Sequence, residues 1–189
     1  MTEHEFKEEY FKRCDKLRYK ILQAYTDEAI LETMEHCIKE NQDLKLGNDS
    51  FNVIHHYCNL AKTDYVFTIY KIYSDNSYSQ TNTLIHLRSY LNSNQQFTNK
   101  IFQPVSISKF SESWLSLLDD FRDKFLAHFD LYDKVIKIEI NFNILNEIKD
   151  MYNSLCDTSI DSRVKTITSQ DICHIKLSKL FGFLAFISK

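Results

Sequence analysis

The stretch KFSESWLSLLDDFRDKFLAH, residues 109–128, decides the fold. At about 100° per residue, Phe110, Trp114, Leu117, Leu118, Phe121 and Phe125 fall on one stripe under about 110° wide, as in a helix that buries one face in a bundle. Its surroundings repeat the theme. Residues 51–73 carry Val53, Ile54, Tyr57, Leu60, Ala61, Tyr65, Phe67, Ile69 and Tyr70, dense enough for a central bundle helix. Gly47, Gly182 and Pro104 are the only residues of their kinds. So few turn formers exclude sandwiches, barrels and Gly-rich nucleotide loops.

Further helices follow from local signals. Thr2-x-x-Glu5 is a capping box, opening a helix with Phe6, Tyr10, Leu17, Ile21 and Leu22 inward. Thr26 or Asp27 is expected to restart it as a second helix to about Gln42, with Ile30, Met34, Cys37 and Ile38 inward. Lys45–Ser50 reads as a turn, and Ser74–Ser77 as the break after residue 73. Ser77-x-x-Gln80 is expected to cap a shorter helix through Leu91, and Asn92–Ser108, with Pro104, to form a long loop. Val135–Ile140 alternates like a strand but has no neighbouring partner, so it is read as extended. Two last helices are expected near Asn143–Leu155 and Asp171–Ile187. The result is an all-α bundle of about six to seven helices.

At 189 residues and 43% hydrophobic the chain fits one domain with its own core. Cys14, Cys37, Cys58, Cys156 and Cys173 are odd in number and scattered, without zinc-ligand spacing. They read as reduced thiols, with Cys14 and Cys37 packed as small apolar residues. Met1–Glu5 lacks the pattern of a secretory signal, and the longest apolar run, Leu180–Ile187, is too short to span a bilayer. A cytoplasmic protein with no membrane contact is the expectation. Net charge is −3, which gives no support to general nucleic-acid binding, although a few arginines can still line a local cationic cleft.

Within residues 109–128, and just beyond, lies FRDKFLAHFD (Phe121–Asp130). Continued as a helix, it projects His128 onto the centre of the apolar stripe and Arg122 just past its edge, with Leu118, Phe125, Leu126 and Phe129 around them. A guanidinium keeps its charge at neutral pH, so on a packed face it requires a partner. The partner is structural, catalytic or a ligand. In the structural alternative, His128 meets last-turn carbonyls and Arg122 bridges Asp119 or Asp123. His128, Asp130 and Asp133 have no further ligand nearby, so no metal site is assigned, and no cofactor. His55 and His56 face different ways on a helix, and Asp119 and Asp120 read as solvated.

This segment resembles the HEPN superfamily, whose signature is Arg, four to six residues, then His on a late helix of a bundle. Arg122 and His128 match it with five between, and Asp123 matches the polar residue that often follows the Arg. FRDKFLAHFD is similar to the R[ND]K..AH.D run of the abortive-infection, phage-resistance branch. Trp114 and the aromatic helix leading through YKIYSDN (residues 70–76) fit as well. Likeness is specific over 108–130 and looser over 50–130. The His-x-Tyr ending of toxins paired with nucleotidyltransferases is absent, since Phe129 and Asp130 follow His128.

The resemblance implies a single HEPN-like domain over 1–189, its core at about 50–156 with helical additions at both ends. It further implies a homodimer that brings two Arg–His pairs into one cleft. On one helix, residues six apart lie about 9 Å apart along the axis and about 120° around it, too far to grip one phosphate jointly. The implied activity is that of a metal-independent endoribonuclease, a toxin or defence effector acting on RNA. Arg122 and His128 are the implied catalytic residues, Asp123 and Asp130 the supporting ones, and an antitoxin or defence protein a further expected partner. The alternative is a non-catalytic HEPN module that binds RNA, nucleotide or a protein.

Overall fold

The computed structural model describes residues 1–40, 48–73, 83–103, 107–109, 111–116 and 143–187, and only the backbone of 37, 40, 48–55 and 179–187. Among the described residues there are seven helices and no strand. They are α1 (Glu3–Glu40), α2 (Asn48–Tyr73), α3 (Leu84–Ser93), α4 (Gln95–Thr98), the short α5 (111–116), α6 (Asn143–Leu155) and α7 (Ser169–Ile187). The chain is all-α, and α6 has the bounds read from the sequence. Among the described residues no helix is long and apolar enough to cross a membrane.

α1 opens on its capping box: Thr2 N donates to Glu5 Oε2 (2.7 Å) and Glu5 N to Thr2 Oγ1 (3.2 Å). It then runs without interruption, so the expected restart at Thr26 or Asp27 is corrected. The reason lies in its buried positions: Phe6, Tyr10, Cys14, Leu17, Ile21, Ala24, Glu28 and Leu31. Their mean spacing is close to 3.6, so the stripe drifts only about 20° over its whole length and never leaves the core face. Thr26 is no cap. Its Oγ1 donates back to Leu22 O (3.1 Å), and Asp27 Oδ1 accepts from Gln23 Nε2 (2.9 Å).

Among the described residues α1 is the spine, packing on α2, α3, α6 and α7. Its Phe6 ring stacks on Tyr10, Tyr90 and Phe97, with centroids 6.2, 5.5 and 5.1 Å away. α2 buries Tyr65, Val66, Ile69, Tyr70 and Ile72 toward its C-terminus, while Tyr57 and Leu60 on its earlier turns are exposed.

Two further sequence expectations need revision. Ser77 and Gln80 lie outside the described residues, and α3 starts at Leu84 behind Thr83, whose Oγ1 accepts from His86 N (3.2 Å). The segment expected as a long loop from residue 92 contains α4, closed by Asn99 at φ 53. Asn92 then holds the returning chain. Its Oδ1 accepts from Phe102 N (2.9 Å) and its Nδ2 donates to Phe102 O (3.0 Å), where Arg88 Nε also donates (3.1 Å). These bonds let a polar connection stay close to the core. Of the turn expected at Lys45–Ser50, residues 48–50 instead open α2, and 45–47 lie outside the described set, as do the extended reading of 135–140 and the side chains of Cys37 and Leu180–Ile187.

Buried tyrosines fasten α1 to α6. Tyr10 Oη donates to Leu155 O (2.9 Å), a last-turn carbonyl with no partner inside its helix, and accepts from Asp157 N (2.7 Å). Tyr152 Oη lies 3.1 Å from Cys14 O and 2.9 Å from Lys165 O and shares its proton between them. Tyr25 Oη reaches Leu145 O and the Asn146 side chain, both at 3.2 Å.

The 156–168 connection is built from side-chain turns. Asp157 pairs with Lys100 and accepts from Ser159 N (2.9 Å), and Asn153 clamps Ile167 through both its amide atoms (2.8 and 2.9 Å). Arg163 forks onto Asp161 and stacks on Phe11. Thr168 and Asp171 form a second capping box at α7. Lys176 of α7 crosses to Glu28 (3.1 Å) and Glu32 (3.0 Å) on α1.

Tyr10→Phe strands two backbone groups, so it is expected to cost about 1–3 kcal/mol in denaturant unfolding. Tyr25→Phe should cost less, because Asn146 is exposed. Equal stability of the two variants would show the Tyr10 cap to be idle. A second expectation concerns acid. Three carboxyls are held below the usual carboxylate range: Asp157 chiefly by Lys100, Asp161 by Arg163 and Asp171 by the Thr168 backbone. The folded state therefore binds fewer protons there. Their stabilisation is complete above about pH 4 and is lost as pH falls through their folded values. The thermal midpoint should drop below about pH 4, and Asp161→Asn should blunt that drop.

Candidate functional site

Arg122, Asp123, His128 and Asp130 lie outside the described residues. The structure does describe how the chain enters the segment that carries them. Ser108 stands as a cap before the helical turns: Ser111 N donates to Ser108 Oγ (3.3 Å) and Glu112 N to Ser108 O (2.9 Å). Glu147 of α6 fixes this cap from outside, accepting from Ser108 N (2.8 Å), Ser108 Oγ (2.8 Å) and Ser111 Oγ (3.0 Å). One carboxylate thus takes three hydrogen bonds, and bonds to an ionised acceptor are the stronger kind. Trp114 and Leu115 are buried immediately after. The start of the predicted amphipathic rod is therefore held at its cap by α6 and anchored by its first large apolar side chains. Sequence reading found Trp114 but not Glu147, whose position on α6 gives no local hint of a partner 39 residues earlier.

A second polar locality lies at the opposite end of α6. A cavity of about 390 Å³ is bounded by Phe11, Asp15, Arg18, Tyr152, Arg163 and Lys165. Three cations suggest an anion site, but both arginines are already engaged. Arg163 Nη2 meets Glu8 (2.6 Å) and Asp161 (2.7 Å), Arg18 Nη2 meets Asp171 (3.1 Å), and Asp15 stands in the wall. Four carboxylates against three cations leave no net attraction for phosphate. Arg18 Nε is nevertheless buried without an acceptor among the described residues.

Beside this cavity two thiols meet. Cys14, 1% exposed on the α1 stripe, interacts directly with half-buried Cys156, the residue after α6. Cys156 as a thiol donates a long bond to Lys165 O (3.9 Å). The Cys14 thiol is pushed up by its contact with Cys156 and by burial, so it stays protonated. Cys156 is drawn down by the Cys14 contact, against its own burial, with help from Tyr152 and the Arg18 charge. The sequence expectation that Cys14 packs as a small apolar residue holds, but its partner was not foreseen, because the two lie far apart in the chain. Cys14, Cys58, Cys156 and Cys173 are free thiols. Among the described residues no three His, Cys, Asp or Glu side chains gather to hold a metal ion.

Compared with protein-family models, curated proteins and solved structures, the chain matches none. Glu147→Ala removes the triple acceptor, and the amides of residues 111–116 are expected to exchange with solvent at least about tenfold faster, equivalent to about 1.4 kcal/mol. Unchanged exchange would show that Trp114 and Leu115 hold this segment alone.

Proposed function

We propose that this chain is a HEPN-type endoribonuclease, a toxin or phage-defence effector that cleaves RNA without a metal ion. The observation that carries the reading is the Arg122–x5–His128 pattern within FRDKFLAHFD, on a predicted helix whose apolar stripe surrounds it. Two structural features support it: the all-helical bundle, and the tightly fixed start of that helix at Ser108, Glu147 and Trp114. A rigid entry suits a site that must hold its groups to within a fraction of an ångström.

In this reading two protomers pair so that the Arg122 of each lies beside the His128 of the other. His128 takes the proton from a ribose 2′-hydroxyl, which attacks the adjacent phosphorus as the bond to the 5′-oxygen breaks. The leaving 5′-oxygen takes up a proton, from the second His128 of the pair or from water, so the products are a 2′,3′-cyclic phosphate and a 5′-hydroxyl. An imidazole with an ordinary value near 6.5 suits proton transfer close to neutral pH. Arg122 forks onto the phosphate oxygens as charge builds there. Asp123 and Asp130 orient the pair. The 2′-hydroxyl is obligatory, so DNA is not a substrate. An antitoxin or defence protein is the expected controlling partner.

The test is cleavage of labelled RNA in excess chelator. Wild-type protein is expected to leave cyclic-phosphate ends and to spare an otherwise identical strand with a deoxyribose at the scissile position. His128→Ala and Arg122→Ala should each lower the rate at least about 100-fold while unfolding normally. Growth arrest on expression should likewise be relieved by His128→Ala. RNA binding without cleavage by wild-type protein would favour a non-catalytic module, and full activity of both variants would remove the site assignment.

A further inference from the structure

Cys156 and Cys14 are placed together by fixed features of the fold. Tyr10 and Cys14 sit one turn apart on the same buried stripe of α1. The Tyr10 hydroxyl holds Leu155 O and Asp157 N, the backbone atoms on either side of Cys156. Tyr152, one turn before Cys156, reaches Cys14 O and also Lys165 O, the atom that Cys156 Sγ faces. The two thiols therefore meet between two tyrosine latches, one thrown from each helix. From this geometry we infer that Cys156 and Cys14 form an oxidisable thiol pair, a modification site at which a hydroperoxide closes a disulfide between α1 and the end of α6.

The roles of the two sulfurs differ. Cys156 is half-buried, so a small oxidant can reach it, and its Sγ faces the backbone of Lys165, a residue of the cavity wall. Its anionic form is favoured by the Cys14 thiol, with help from Tyr152 and the Arg18 charge. Cys14 is sealed in the core and keeps its proton. Cys156 thiolate attacks the peroxide: the S–O bond forms, the O–O bond breaks, and hydroxide or alkoxide leaves and takes up a proton. Cys156 is thereby oxidised to the sulfenic acid as the peroxide is reduced. The Cys14 sulfur then attacks Cys156, the S–S bond forms as S–O breaks, and the Cys14 proton leaves with the hydroxide as water. Overall two thiols and one hydroperoxide give a disulfide, water and water or alcohol.

The test treats the folded protein with a small excess of hydrogen peroxide and maps its peptides without reduction. A peptide pair joined through Cys14 and Cys156 is expected, with two hydrogens lost from the intact mass and both changes reversed by dithiothreitol. The oxidised protein should also show a higher thermal midpoint, since the cross-link ties distant parts of the unfolded chain. Cys14→Ala should stop at the Cys156 sulfenic acid, captured by dimedone, and reach it more slowly than wild type because the contact that favours the Cys156 anion is gone. Should that variant fail to fold, the wild-type peptide map still decides. Preferential oxidation of Cys58 or Cys173, or peroxide-treated protein with no Cys14–Cys156 peptide, would overturn the inference.

Discussion

A helix cannot end inside a protein without stranding carbonyls, and α6 ends against the core. The described part of the bundle depends on how that end is closed. α1 supplies the Tyr10 hydroxyl to Leu155 O and Asp157 N, and α6 answers with Tyr152 toward Cys14 O and Lys165 O. Each hydroxyl lies deep enough that water is no alternative partner. Apolar packing along the α1 stripe supplies most of the cohesion, at about 1.5–3 kcal/mol for each large side chain. The tyrosines contribute what apolar packing lacks, which is register: a shift of α1 by one turn would leave Leu155 O and Asp157 N unmatched.

How much was legible in the sequence depends on the range of each signal. The Thr2–Glu5 box and the α6 bounds were readable because cap and period lie within a few residues of each other. The same local grammar misled at Thr26, since a threonine that caps one helix can hydrogen-bond back to the preceding turn of another. Only the persistence of the 3.6-residue stripe through Glu28 and Leu31 distinguishes the two. The stretch after Leu91 looked like loop because its order comes from Asn92 gripping Phe102, a side-chain bond with no periodicity. Glu147, Tyr10 and the Cys14–Cys156 pair were invisible for a stronger reason, being meetings between residues far apart in the chain. The Arg122–His128 pattern is the reverse case. It is entirely legible as sequence, and it lies outside the described residues.

Charge tells a related story. Cations bordering the cavity beside α6 suggest a phosphate site when counted alone, yet Glu8, Asp15, Asp161 and Asp171 answer them. Arg163 spends its fork and its flat face on Asp161, Glu8 and Phe11, which stiffens the 156–168 connection and leaves little for a ligand. Local neutrality of this kind agrees with a chain of modest net charge, in which any RNA contact depends on a small number of placed groups.

The spine has a consequence for how the protein is made. α1 leaves the ribosome well before the partners that cover its stripe, since α6 and α7 begin about a hundred residues or more after it ends. At ordinary translation speeds the nascent chain carries that greasy ridge uncovered for on the order of ten seconds. Contacts between α1 and the last third of the chain raise the contact order well above that of a simple up-and-down bundle. Early α2 contacts shelter part of the ridge in the meantime, and chaperones that recognise exposed apolar helices have their opportunity before Tyr10 meets Leu155.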